Sequence, residues 1–177
     1  MEARHPDPEI SRELQELYNG LPRYEQIVWD AQDDVHKDES ESNWSPYKLS
    51  EPLLTVWAVC AVQEKTNNGG FQFFFENDWP DCPAYQIFID AFERISAIET
   101  ADMLRTSVSA FPSPEPQNDF EMRRNFMETS RSQPDADDSL IDKCGDRVID
   151  LNDQNYRLLS AYVMEHLNCF PTVKRRS

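Results

Sequence analysis

The hydrophobic residues of this chain recur mainly at spacings of three and four, which is the period of an amphipathic α-helix. This spacing predicts the first two helices over residues 8–18 and 22–31, and the polar composition of residues 37–46 predicts a loop. Residues 53–62 form the longest apolar run. Because a helix that is apolar nearly all round lies among other helices, we expect a buried central helix over residues 50–66.

The central apolar run leads into a turn signal and a block of aromatic residues. Asn67, Asn68, Gly69 and Gly70 tolerate positive φ, so the preceding helix is expected to end here and the chain to reverse. Four phenylalanines follow, and rings of this size are expected to be mostly buried. They are Phe71, Phe73, Phe74 and Phe75. We predict that this stretch is the hub of the core.

The second half of the chain shows the same helical spacing. Helices are predicted over residues 85–95, 101–111, 120–127, 138–151 and 156–168. No segment alternates as a strand does, and four glycines leave few hairpin turns. The predicted fold class is all-α, a single-domain helical bundle of about seven to nine helices around the buried central helix.

Composition divides the chain into three parts. Residues 1–44 predict an N-terminal helical hairpin followed by an acidic linker. Residues 45–170 predict the main helical domain. Residues 171–177 include Lys174, Arg175 and Arg176, and predict a basic, flexible tail.

The charge of the chain restricts its partners. The formal net charge is −16 and the sequence pI is about 4.4. Direct binding to nucleic acid or to an anionic membrane is unfavourable, because both are strongly negative themselves. A basic protein is the expected partner. The chain has neither the apolar core of a signal peptide near residue 1 nor a run long enough to span a membrane, so we expect a cytoplasmic protein.

The sequence contains no recognisable catalytic, cofactor or metal motif. The four cysteines lie far apart, none of the three histidines has metal-binding spacing, and no phosphate-binding glycine loop is present. We therefore predict a protein that is not an enzyme and needs no cofactor or metal. One alternative stays open, because Glu64, Asn67, Asn68 and Asn77 could form a small-ligand site beside the aromatic hub. The same asparagines could instead satisfy helix-end groups, which is the interpretation we favour.

Aspartates repeat every four residues in two places. The first row begins in the predicted second helix, and the second row is offset by two positions from the apolar Leu140, Cys144 and Val148. Two positions on a helix correspond to about 200°, so the second row should point away from the core. The aspartates are Asp30, Asp34, Asp38, Asp138, Asp142, Asp146 and Asp150. We predict that these carboxylates bind the partner.

An acidic row can also be a solvated face that only keeps the protein soluble. Like charges four residues apart destabilise a helix by roughly 0.2–0.5 kcal/mol per pair, so such rows carry a cost in stability. Averaged over the surface of a protein of this size, the net charge is several times more dilute than that of duplex DNA. Imitation of DNA therefore requires the acids to cluster on one face, or two subunits to merge their acidic faces.

Part of the sequence resembles a known family. The residues Asn67-Asn68-Gly69-Gly70-Phe71-Gln72-Phe73-Phe74-Phe75-Glu76-Asn77 fit an NNGGF-x-x-F/Y-F-x-N box, in which Asn67, Asn68, Gly69, Gly70, Phe71, Phe74 and Asn77 are the signature. This box is similar to that of a bacterial domain-of-unknown-function family typified by a small acidic DNA-mimic protein. The similarity is most specific over residues 45–111 and looser as far as residue 170.

The resemblance implies an all-helical, homodimeric, non-enzymatic protein whose carboxylates imitate DNA phosphates. Its expected partner is a basic DNA-binding protein such as a helix-turn-helix transcription regulator. A second hypothesis is an acidic immunity or antitoxin-type protein that neutralises a basic toxin enzyme. A third is a small-ligand binder or enzyme at the hub, which requires an open cavity around Glu64, Asn67 and Asn68.

Overall fold

The computed structural model of the protein describes residues 8–37, 44–131 and 139–176. These ranges contain helices and no strand, which confirms the predicted all-α fold class. No helix within them is both long enough and apolar enough to cross a membrane. The α-helices of the described ranges are α1 (Pro8–Gly20), α2 (Arg23–His36), α3 (Glu51–Phe75), α4 (Tyr85–Arg94), α5 (Ile98–Ser109), α6 (Phe120–Arg131), α7 (Leu140–Asp150), α8 (Asn152–Glu165) and α9 (Pro171–Arg176).

Helix α3 occupies the centre of the bundle. Residues 55–63 are buried without a break, and α3 packs against α2, α4, α7 and α8. A helix can be buried on all sides only if other helices surround it, which is what its continuous apolar run indicated. The predicted buried central helix is therefore confirmed.

Two glycines interrupt α3 within the aromatic box. Gly70 has a φ of 66°, a left-handed conformation that side chains disfavour. At Gly69, an added Cβ would lie 2.8 Å from the Cβ of Phe73, so a larger residue does not fit there. The helix resumes immediately and continues to Phe75. The box thus contains a kink followed by one more helical turn.

The phenylalanines after the kink divide between two faces. Phe71, Phe74 and Phe75 are fully buried, as their helical spacing of three and four residues favours. Phe74 lies 5.2 Å from Phe88, measured between ring centroids, and contacts four further aromatic rings. Phe73 lies on the opposite face and is 47% exposed, so the prediction that all four rings are mostly buried is wrong for this residue.

Helices α2 and α9 belong to the same bundle as α3. In α2, Ile27, Val28, Ala31 and Val35 are part of the core that α3 occupies, so this helix is not an appendage to a separate body. At the other end, α9 is a helix that packs on α2, with Val173 buried. The predicted flexible tail is wrong over residues 171–176.

Candidate partner-binding surface

Helix α7 begins with a reciprocal cap. The Ser139 hydroxyl accepts a hydrogen bond from the Asp142 backbone N–H at 3.1 Å and donates one to Asp142 Oδ2 at 2.6 Å. The cap satisfies the Asp142 amide, one of the N–H groups that the first helical turn leaves unpaired. Asp142 therefore has a structural function in addition to its charge.

The inner face of α7 lies against the aromatic box. Cys144, Gly145 and Val148 are buried, and a Cβ added to Gly145 would lie 3.0 Å from the Phe71 backbone nitrogen. A larger residue would therefore press on the backbone of Phe71 at this close approach. Asp146 and Asp150 lie on the other face of the helix and are exposed. The box thus fixes the helix that displays these two carboxylates.

The aspartates of α2 have a different environment from those of α7. Asp30 is fully buried, accepts a hydrogen bond from the Tyr18 hydroxyl at 3.0 Å and pairs with Arg176. Asp34 is 7% exposed and accepts hydrogen bonds from the backbone N–H and hydroxyl of Thr172 at 2.9 and 2.6 Å.

These contacts attach α9 to α2, so the prediction that Asp30 and Asp34 display charge to a partner is wrong. Burial tends to raise the pKa of Asp34, but hydrogen bonds from Lys37 and Thr172 outweigh it, and the net pKa lies below the ordinary value. The buried carboxylate is therefore charged at neutral pH. The remaining two predicted acids, Asp38 and Asp138, lie outside the described residues.

Ion pairs extend the acids of α7 onto a neighbouring helix. Arg147 donates from Nε to Glu99 Oε1 of α5 at 2.7 Å, and its Nη1 lies 3.9 Å from Asp150 Oδ2. The hydrogen bond to Glu99 and the charges of Glu99 and Asp150 raise the pKa of Arg147 above its ordinary value. These contacts place carboxylates of α5 and α7 side by side.

A second arginine continues this surface to α4. Arg105 of α5 pairs with Asp102 one turn before it and with Glu93 of α4. These ion pairs link four carboxylates across three helices, and two more lie one and two turns before Asp150 on α7. We name the six carboxylates the acidic band. Its members are Glu93, Glu99, Asp102, Asp142, Asp146 and Asp150. The sequence did not predict Glu93, Glu99 and Asp102. The one sequence signal for them was the three-residue spacing of Glu99 and Asp102, which places both on the same side of a helix.

The region proposed for a small ligand is open. Glu64, Asn67 and Asn68 line a cavity of about 350 Å³ between α2, α3 and α8. Asn77 lies in a neighbouring cavity of about 250 Å³, which Glu64 also lines. Neither Asn67 nor Asn68 makes a side-chain hydrogen bond to another described residue, so their side chains do not perform the capping role that the sequence suggested.

Comparison with known proteins gives one match. A family model described as DMP19-like protein matches residues 47–166, which is more than half of the chain. The matched range contains the aromatic box and the whole acidic band. No curated protein and no solved structure matches the chain.

Proposed function

We propose that this chain, which belongs to the DMP19-like protein family, is a non-catalytic acidic protein that binds and sequesters a basic DNA-binding protein, such as a helix-turn-helix transcription regulator. The observation that carries the proposal is the acidic band on α4, α5 and α7. In this proposal its carboxylates take the position that DNA phosphates would occupy on the partner.

The geometry of the band supports a dense local charge. Carboxylates four residues apart on α7 are separated by about 6 Å along the helix, compared with about 3.4 Å between the phosphates of one DNA strand. The row on α7 alone is therefore too sparse. Glu99 and Asp102 add a second row on α5, and Glu93 adds a further charge on α4.

The cations within the band do not cancel this charge. Six carboxylates are accompanied by Arg105, Arg147 and Lys143, which leaves the band negative within a chain of net charge −16. The two arginines also hold Glu93, Glu99 and Asp102 in fixed positions, and fixed charges lose less side-chain entropy when a partner binds. A homodimer, which the family resemblance implies, would present two such bands.

The proposal can be tested by capturing partners from a native cell lysate at low salt. We expect a basic DNA-binding protein to be retained, released by a salt gradient and displaced by duplex DNA, because its contacts with the band are ionic and exposed. The D146N/D150N variant should lose this protein. Asp142 is left unchanged because its replacement would also disturb the α7 cap.

A charge-matched control separates the band from the overall charge of the chain. The E13Q/E121Q variant removes two exposed carboxylates from α1 and α6, and should retain the partner. Equal capture by the parent chain and D146N/D150N, or capture that salt does not weaken, would contradict the proposal. Recovery of a basic toxin enzyme in place of a DNA-binding protein would instead support the immunity hypothesis.

A further inference from the structure

The cavity of about 350 Å³ between α2, α3 and α8 has the size of a small-molecule site. Glu25 and Trp29 reach it from α2, Glu64 and Asn67 from α3, and Tyr156 from α8. No member of the acidic band lines it. Its function can therefore be tested separately from the proposed binding of a basic protein.

Among the described residues, two carboxylates and no basic side chain line this cavity. The described lining includes Glu25 and Glu64 but no lysine, arginine or histidine. Neither carboxylate makes an ion pair or a hydrogen bond with another described residue. Burial raises the pKa of the Tyr156 hydroxyl, and the charges of Cys60, Glu64 and Glu25 raise it further. Both carboxylates thus act on the same phenol, and the cavity is a negative environment.

Two further features of the cavity favour positive charge. Trp29 and Tyr156 present aromatic rings, and a cation over such a ring is attracted by its π-electrons. The first segment of α3 ends at the kink beside Asn67 and Asn68, so the negative end of its helix dipole lies at the cavity. The amide groups of these two asparagines make no hydrogen bonds with described residues, so they can bind a ligand.

We propose that this cavity binds a small organic cation, an ammonium or guanidinium group on an apolar body. Glu25 and Glu64 supply the counter-charge, Trp29 and Tyr156 supply aromatic contacts, and Val28 packs against the apolar part. An anion would be repelled by the two carboxylates. A neutral ligand would displace the water that solvates the two carboxylates and would offer no charge to stabilise them in its place.

The test is calorimetric titration with agmatine, an alkyl guanidinium, and with spermidine, an alkyl polyamine. The neutral 1,6-hexanediol, of similar length, is the control ligand. We expect saturable one-to-one binding of at least one cation and none of the diol. Glu64→Gln and Glu25→Gln keep the shape of the cavity but remove its charge, so each should weaken binding at least tenfold.

Glu13→Gln is the matched control protein, because it removes one exposed carboxylate from α1 and leaves the cavity unchanged. Its affinity should stay within twofold of the parent chain. The indole N–H signal of Trp29, followed by NMR, should shift with the bound cation and report occupancy of this cavity. The proposal is overturned if neither cation binds saturably at millimolar concentration, if hexanediol binds equally well, or if E13Q weakens binding as much as E64Q.

Discussion

Replacing Arg123 with methionine should destabilise the fold strongly, because this buried guanidinium holds three segments of the chain together. Arg123 is 2% exposed. Its Nε donates to the Phe75 carbonyl at 2.8 Å, and its Nη1 donates to the carbonyls of Pro116 and Gln117 at 3.0 and 2.7 Å. The nearest carboxylate, Asp78, lies 3.7 Å away and is 75% exposed. The backbone carbonyls are therefore its main partners.

The magnitude follows from the hydrogen bonds to a charged donor that the substitution would remove. The Phe75 and Pro116 carbonyls make buried hydrogen bonds, whereas the bond to Gln117 is only partly buried and water can replace it. Each of these two carbonyls keeps one other donor, the Tyr85 hydroxyl at 3.5 Å for Phe75 and the Asp119 N–H at 3.2 Å for Pro116. A hydrogen bond to a charged group contributes about 1.5–3 kcal/mol, so losing the two bonds from Arg123 costs about 4 kcal/mol. For a chain of this length the melting temperature should fall by roughly 8–16 °C.

Thermal and urea unfolding followed by circular dichroism would measure this loss. Arg123→Lys keeps the charge but offers fewer donor directions, and should be intermediate. Arg124→Met is the matched control, because Arg124 is its exposed neighbour on α6 and should change the unfolding free energy by less than about 0.5 kcal/mol. If Arg123→Met unfolds within about 1 kcal/mol of the parent chain, the reasoning is refuted.

Three further substitutions test the elements that position the acidic band and the chain ends. Gly145→Ala should lower the free energy of unfolding by roughly 1–3 kcal/mol in a urea titration, because the added Cβ would press on Phe71. Gly20 has open space around it, so Gly20→Ala should not destabilise the protein in the same titration. Ser139→Ala removes the α7 cap and should lower the free energy of unfolding by about 1 kcal/mol, as measured by thermal unfolding. Asp34 has a folded pKa below its unfolded value of about 3.8, so its stabilisation is present at neutral pH and is lost as the pH falls through the folded pKa. Asp34→Asn should therefore destabilise at about pH 7 and reduce the pH dependence of unfolding below about pH 4; an unchanged pH profile would contradict this assignment.

The core was predictable from the sequence because its signal is local. An apolar surface all round α3 specifies a buried helix without reference to the rest of the chain. The glycines mark where the regular backbone is interrupted, but the sequence predicts a reversal of the chain there and the structure has a kink. Arg123 was not predictable in this way. A charged residue ordinarily indicates an exposed position, and its carbonyl partners lie up to 48 residues away in sequence.

The two aspartate rows show what a four-residue repeat leaves undetermined. Asp30 and Asp34 lie three residues after the buried Ile27 and Ala31, so they share the inner face of α2. Asp146 lies two residues after Cys144 and points outward. The spacing of acids to each other is the same in both helices. Their spacing to the apolar residues distinguishes the buried row from the exposed one.

The acidic band depends on contacts that no sequence pattern contains. Glu93, Asp102 and Glu99 join it only because α4 and α7 pack against α5, and Arg105 and Arg147 bridge these helices. Helices separated by many residues can pack in several arrangements with the same periodicity. The sequence therefore predicted the acids of α7, and the fold joins them to acids on α4 and α5.

Competition with DNA tests the central claim most directly. The partner recovered by capture would be bound to a fluorescent duplex, and this chain would be titrated in while fluorescence anisotropy reports the bound DNA. The account predicts that the parent chain releases the duplex, that D146N/D150N requires at least tenfold more protein, and that E13Q/E121Q behaves as the parent. If the chain binds the partner without releasing the duplex, the acidic band does not take the position of DNA.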